Sequence, residues 1–552
     1  MSPASVAPEY QAALDAIAAT AQRLQSLSQR SLQTQWHFYH GNLTLDEAAQ
    51  QAPQWPFASV NHRDHVPWPK GRQSLWLWQR LVIPETCAGF EIRGSTLRLG
   101  LTWWAEFAQV FVNGQLVQEG DIFDCFTRIP LKERVQPGDE FTLALHLVSP
   151  GHDEGALVRS QLIYENPNLD PPEPGFVADE MAVLAQYFRA LAPEQLAPLA
   201  AATQQLELSL VGNKPQFQAE LTALRQRLMP WRDWIQQYQI TCVGHAHLDL
   251  AWLWPVPETW EAAERTFQSV LALQKDFPEL TYTHSSPALF AWLEQHRPDL
   301  FTAVQQAVDQ GWWTIDAGLW VEPELNTLGG ESLARQILYG QHYCRDLFGT
   351  TSAIAWLPDS FGFSAQLPQL LKQGGIRCFA TQKLRWNDTT EFPHHLFNWQ
   401  GLDGTQLLSM TLPPIGSDID PAKMAEQGAT WASKTGLTTA LWLPGMGDHG
   451  GGPTRDMLEQ VRRWQQSPFF PEVSFQPMGQ LLEAIETQVY NQLTSNKSQV
   501  KTDPTTPQLP HSPPPPLPTW TDELYLQLHR GCRTTPPDQK WYNRRREDLL
   551  VP

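Results

Sequence analysis

Residues 244–255 read GHAHLDLAWLWP. His245, His247 and Asp249 stand two apart, so on an extended backbone they share one face. Imidazole nitrogens and a carboxylate from one strand end can grip a divalent metal. A satisfied core histidine is the bland alternative for any one of them. Three polar groups on one otherwise apolar face favour the metal. Asp359, in WLPDSFGFSAQLPQLL, follows an apolar run and a proline. That puts a carboxylate at a strand end, before a loop and a helix, where a helix N-cap would equally use it. His449, in LWLPGMGDHGGGPT, lies between Asp448 and three glycines, which let backbone approach a ligand closely. A phosphate loop is the rival, but there is no GxxxxGKS/T pattern and no nearby lysine. His449 is therefore a candidate third or fourth ligand. In WVEPELNTLGGESLARQ, Glu322 and Glu324 share a face with Trp320. Such a pair can do acid–base work beside a metal, or simply end a strand.

The elements that must position these groups are legible in outline. Residues 9–30 carry a helical stripe of Leu14, Ile17, Ala18 and Leu24. From about 70 to 164 apolar and polar residues alternate with period two, and an Asn-Gly pair at 113–114 signals a hairpin. Residues 61–165 are expected to form a jelly-roll-like β-sandwich behind an N-terminal helical segment and lead-in (1–60). A helical connector is expected over 166–237. Between 238 and 490 short apolar runs alternate with helical stretches, which predicts a parallel sheet or barrel. Active sites in such folds lie at the C-terminal strand ends. Residues 491–518 are rich in Pro, Ser and Thr and are expected to be a linker or insertion. Residues 519–552 resume structured texture, read as the start of a helical domain. The fold class expected is thus multidomain α/β: an N-terminal β-sandwich plus a (β/α) barrel-like catalytic domain.

Composition sets the outer bounds. The chain has 552 residues, 42% hydrophobic and 18% charged, with a net charge of −19 from 39 basic and 58 acidic residues. No basic excess exists to neutralise phosphates, so a nucleic-acid partner is not expected. The six cysteines show no CxxC pair, which fits reduced thiols and a cytoplasmic location better than a disulfide framework. The N-terminus has no secretory pattern. No run of 18 apolar residues predicts a membrane span. Association into oligomers is left open. The 24 tryptophans can stack on sugar rings, although large aromatics mostly carry core energy.

The motifs together resemble glycoside hydrolase family 38, the retaining α-mannosidases that use a divalent metal. GHAHLDLAWLWP, WVEPELN, GGESLARQ, WLPDSFGFSAQLPQLL, TQKLRWNDTTEFPHH and GDHGGGPT occur in that family's order, and the likeness continues at ELYLQLHRGC and YNRRREDLL. The resemblance implies Zn2+ held by His247, Asp249, Asp359 and His449, with Asp359 also the nucleophile. It implies a supporting place for His245 near the substrate, and a substrate-side wall from Trp252 and Trp320. Glu324 stands where the family often has Asp and would help hold the substrate or the acid. Asp388, in the loop between Asp359 and His449, is the candidate acid/base, although an Asp there also suits a surface turn. The implied partner is an α-mannoside oligosaccharide. Family members continue well past the last motif found here. The chain is therefore expected to be an N-terminal portion, acting alone or with a separate C-terminal chain. The rival expectation is an inactive carbohydrate-binding remnant. A metal-dependent deacetylase would explain an HxD site but not the other motifs.

Overall fold

The computed structural model describes residues 8–121, 125–151, 153–166, 168–252, 254–446, 450–495, 517–528, 541–542 and 545. It is a mixed α/β chain in two compact units. One comprises residues 1–236 with 466–470, the other 237–465 with 471–552.

The first unit opens with the helix Pro8–Ser28 and contains two five-stranded sheets. Period-two patterning sorts their side chains. In the strand Ser74–Val82, Leu75, Leu77 and Leu81 enter one buried cluster. Leu143, Leu145 and Leu147 of the same sheet join it, as do Leu97, Leu99 and Leu101 of the other sheet. Each such leucine stabilises the fold by roughly 1.5–3 kcal/mol relative to an exposed one. Trp76 and Trp78 point the opposite way. They pack with Trp55 and Phe111 beside Ala48 of the helix Leu45–Gln51. Thr44 starts that helix with a reciprocal capping box to Glu47. The expected Asn-Gly hairpin turn joins Phe107–Val112 to Gln115–Gly120. A helical stretch follows, where Glu180 of Pro174–Leu191 is fully buried. Arg225 reaches it through two 3.0 Å bonds and the Ser467 hydroxyl through one of 2.7 Å, so no acceptor is left bare.

The second unit is built on short parallel strands. Gln239–Cys242 pairs with Thr439–Trp442 and with Glu472–Phe475. Two residues on, Gly244–His245 pairs instead with Tyr282–His284, and that strand with Trp313–Ile315. A third sheet runs Ile354–Trp356, Cys378–Thr381, Gln406–Thr411, Leu396–Gln400 and Thr519–Trp520. These are three separate sheets, and no closed ring of hydrogen-bonded strands forms among the described residues. The strands Ile354–Trp356 and Cys378–Thr381 are buried on both faces, as parallel strands between helices must be. Ile354 and Trp356 enter one apolar cluster, and the intervening Ala355 enters another. The helix Met478–Ser495 runs five residues past the expected start of the linker at 491. The first proline of that region is Pro504, so nothing in 491–495 breaks a helix. The rest of the expected linker up to 516, and most of 529–552, lie outside the described residues. Residues 517–528 belong to the third sheet and its loops rather than to a helical domain. Among the described residues no helix is long and apolar enough to cross a membrane.

The helix Gly330–Phe348 fixes the loop after Trp313–Ile315. Leu333, Ile337, Gly340, Gln341 and Cys344 form its buried face. The Trp320 amide donates to Gln336 O over 2.9 Å. The Val321 amide donates to Gln336 Oε1 over 3.1 Å. A Cβ at Gly340 would meet Leu319 C at 2.6 Å, closer than real contacts allow. Gly340→Ala should therefore push this loop off the helix, reversing the usual gain from Ala in a helix. The expected loss is about 1–3 kcal/mol in the second unit, read from a denaturant midpoint. An unchanged or higher midpoint contradicts this packing.

Candidate metal centre

Four loops bring the chemistry together, each leaving the C-terminal end of a parallel strand. His247 and Asp249 follow Gly244–His245, Glu322 follows Trp313–Ile315, Asp359 follows Ile354–Trp356, and Lys383 follows Cys378–Thr381. His247 Nε2 lies 3.3 Å from Asp249 Oδ1 and 4.0 Å from Asp359 Oδ2. One ligand atom from each of His247, Asp249 and Asp359 falls within 4.8 Å of the others. One imidazole and two carboxylates at that spacing suit a divalent cation. His247, Asp249 and Glu322 also line a cavity, together with His284, Ser285 and Ser286.

The electrostatics are those of a site with surplus negative charge. Burial works to lower the His247 pKa. The hydrogen bond to Asp249 and the charges of Asp359, Glu322 and Asp249 outweigh it and push the pKa up to about 10. His245 is buried, and burial with the His247 charge holds its pKa down at about 3. As a neutral ring it donates from Nδ1 to Thr283 O over 3.2 Å. His284 is likewise buried and held well below its ordinary pKa, by desolvation and then by His245 and His247. Its Nδ1 accepts from the Ser285 amide at 2.8 Å, so the proton is on Nε2.

Asp359 is held from two sides. Lys383, 1% exposed, places Nζ 2.6 Å from Asp359 Oδ1. The same ammonium lies 3.5 Å from the Trp386 ring centre and 4.8 Å from that of Phe361. Two aromatic faces and one carboxylate thus replace its water. Glu322 Oε1 accepts from the Asp359 amide and, at 2.7 Å, from the Ser360 amide. Desolvation of Glu322, reinforced by the Asp359 charge, outweighs His247 and the backbone donors and pushes its pKa up to about 7.

The residues singled out from sequence separate into groups. His247, Asp249 and Asp359 converge. Glu324 lies one step back: its Oε1 accepts from the Asn326 amide at 3.1 Å, and Asn326 Nδ2 donates to Gly362 O at 2.8 Å. Trp252 is 53% exposed, edge-on to Trp254. Trp320 is half-buried against Tyr343. Asp388 is exposed on the turn after Trp386 and does not line the cavity. His449 lies outside the described residues, but the loop on either side of it is placed. Gly445 packs so close that a Cβ would meet His245 O at 2.2 Å, and the Gly450 amide donates to His247 O over 3.2 Å. Sequence reasoning missed Lys383. Its signal was a lysine wedged between a buried strand and a tryptophan.

Residues 237–523 match the family described as glycosyl hydrolases family 38, N-terminal domain. The chain belongs to glycoside hydrolase family 38. Alpha-mannosidase 2C1 of Homo sapiens is 35% identical to this family 38 chain over 331 residues, 59% of this chain and 29% of that protein. The alpha-mannosidase of Saccharomyces cerevisiae is 36% identical over 308 residues, 54% of this chain and 26% of that protein. The chain thus matches under a third of the length of these relatives. A solved alpha-mannosidase from Enterococcus faecalis superposes with a TM-score of 0.42 at 19% identity, over 52% of this chain and 31% of that one.

The Glu322 contacts yield a test within the family 38 domain. Glu322→Ala leaves the Asp359 and Ser360 amides without their acceptor, a loss of roughly 1–3 kcal/mol. Glu322→Gln keeps an acceptor oxygen and should lose less than half as much. Equal midpoints for the two variants in chemical denaturation would contradict the role given to that oxygen.

Proposed function

We propose that this chain carries the catalytic domain of a retaining, metal-dependent α-mannosidase acting on terminal α-mannosyl residues of oligosaccharides, in the cytoplasm. The observation that carries the reading is the convergence of His247, Asp249 and Asp359, with Asp359 clamped by Lys383, in a family 38 chain. The α-mannosidase names of its relatives support the substrate class. On this reading the first unit is a β-sandwich and the second an opened (β/α) barrel.

The donor set fits zinc. His247, Asp249 and Asp359 would hold it, and the contacts of Gly445 and Gly450 with the His245–His247 backbone support His449 as a further ligand. Bound zinc would supply a Lewis-acid grip on vicinal sugar hydroxyls. The other roles belong to side chains. His245 keeps the backbone before His247 in place through Thr283. Trp252 and Trp320 would wall the sugar, and Glu324 would steady the Asp359 loop through Asn326 and Gly362. Asp359 attacks the anomeric carbon and forms a covalent glycosyl ester while the aglycone leaves. A second carboxyl group protonates the leaving oxygen and then deprotonates the attacking water, which gives net retention.

Two residues compete for that second role. Asp388 is the candidate the sequence offers. Asp418 is favoured by its place in the chain, next to Ser417. It follows Gln406–Thr411 on a loop where Ser417 bridges Pro444 and accepts from the Gly445 amide at 3.2 Å, next to the His449 loop.

With an aryl α-mannoside, turnover should vanish on chelation and return with zinc, and NMR should show the α-anomer as first product. Assayed at a zinc concentration that fills the site, Asp359→Ala should lower kcat by a factor on the order of 10⁴ or more. A folded, zinc-loaded chain without turnover sinks the enzyme reading and leaves a carbohydrate-binding remnant. Azide should rescue whichever of Asp388→Ala and Asp418→Ala removes the acid/base, yielding a mannosyl azide. Rescue of neither eliminates both assignments.

A further inference from the structure

The stretch ELYLQL at 523–528 takes no part in the chemistry above, yet it touches two loops that bear on Asp359. The run from Leu517 first completes the third sheet. The Asn398 amide donates to Pro518 O at 2.8 Å, and Thr519–Trp520 pair in parallel with Asn398 and Trp399. The chain then leaves the sheet and meets two loops. Leu524, 1% exposed, exchanges both backbone hydrogen bonds with Phe363, each 2.9 Å. Phe363 ends the loop that begins at Asp359. Gln527 meets the second loop, the turn that follows Lys383. Its amide donates to Asn387 Oδ1 at 2.8 Å. Its Oε1 accepts from the Thr389 amide at 2.9 Å, the Thr389 hydroxyl at 3.0 Å and the Thr390 amide at 3.0 Å. The Leu528 amide then donates to Trp386 O at 3.1 Å. The Trp386 ring is the one that covers Lys383 Nζ, which in turn holds Asp359 Oδ1.

We propose that Leu517–Leu528 is a strap that sets the position of Asp359, and that Gln527 is its main positioning residue. This rests on reading Asp359 as the nucleophile. The strap acts through Phe363 on one side and through Asn387, Trp386 and Lys383 on the other. Thr389 and Thr390 are exposed, so the Gln527 oxygen is what keeps their turn in one shape. If the turn relaxes, Trp386 is freed from Lys383 and the carboxylate loses its fixed aim. A displacement of about 1 Å at a reacting group can cost 10²-fold in rate.

The test uses the full chain with Gln527→Met, which keeps shape and removes the acceptor, and Gln527→Glu, which keeps it. Gln527→Met should lower kcat on an aryl α-mannoside by about tenfold or more, with KM within about twofold and zinc content unchanged. Amide hydrogen exchange should speed up in 386–390, not in Leu396–Gln400. Gln527→Glu should restore both readouts. The proposal is overturned by a Gln527→Met kcat within about twofold of the parent, by failure of Gln527→Glu to restore it, or by exchange rising equally in Leu396–Gln400. If the parent has no turnover with zinc, the mannosidase reading fails separately. Exchange then decides the strap: faster exchange confined to the Gln527 loop supports it, and unchanged protection there refutes it.

Discussion

The second unit turns on a charge that cannot be left alone. Asp249, Asp359 and Glu322 crowd about the buried imidazole of His247. Carboxylates so close repel one another, and partial burial strengthens the repulsion. Three positive or polar counterweights make the cluster tolerable: a proton or a metal at His247, the buried ammonium of Lys383, and backbone amides. The amides of Asp359 and Ser360 face Glu322, and Lys383 pairs with Asp359. The space between His247, Asp249 and Asp359 is where ligand atoms of all three face one another closely enough for one cation.

That constraint explains why the surrounding backbone is so tightly tied. Asp359 and Lys383 follow short strands, Ile354–Trp356 and Cys378–Thr381, that send apolar side chains into clusters on both faces. The loops are then fastened from outside. Gln336 and Gly340 seat the loop that bears Glu322, and Asn326 ties Glu324 to Gly362. Electrostatic preorganisation of this kind is assembled during folding rather than at the moment of reaction.

Much of this was legible in the sequence, for physical reasons. The spacing of His247 and Asp249 and the strand-end place of Asp359 are local features. The leucine and tryptophan alternation of Ser74–Val82 reported its two faces directly. What was not legible depended on distant pairing. Lys383 stands between an apolar run and Trp386 in the sequence, but only the fold closes Trp386 and Phe361 over it. Glu322 and Glu324 are indistinguishable by type, and only the fold gives the first to Asp359 and the second to Asn326. Nothing local announces that Thr519 pairs with Asn398 across more than a hundred residues.

The last of these pairings has a consequence for how the protein behaves in a crowded solution. Leu396–Gln400 already pairs with Gln406–Thr411 on one side. Its other side would be a bare row of amide and carbonyl groups, flanked by Phe397 and Trp399. Such a margin recruits strands from other molecules. Thr519–Trp520 occupies it from within the same chain. The short strand thus closes part of an open sheet margin, and it does so with residues that lie beyond the proline-rich tract in the chain.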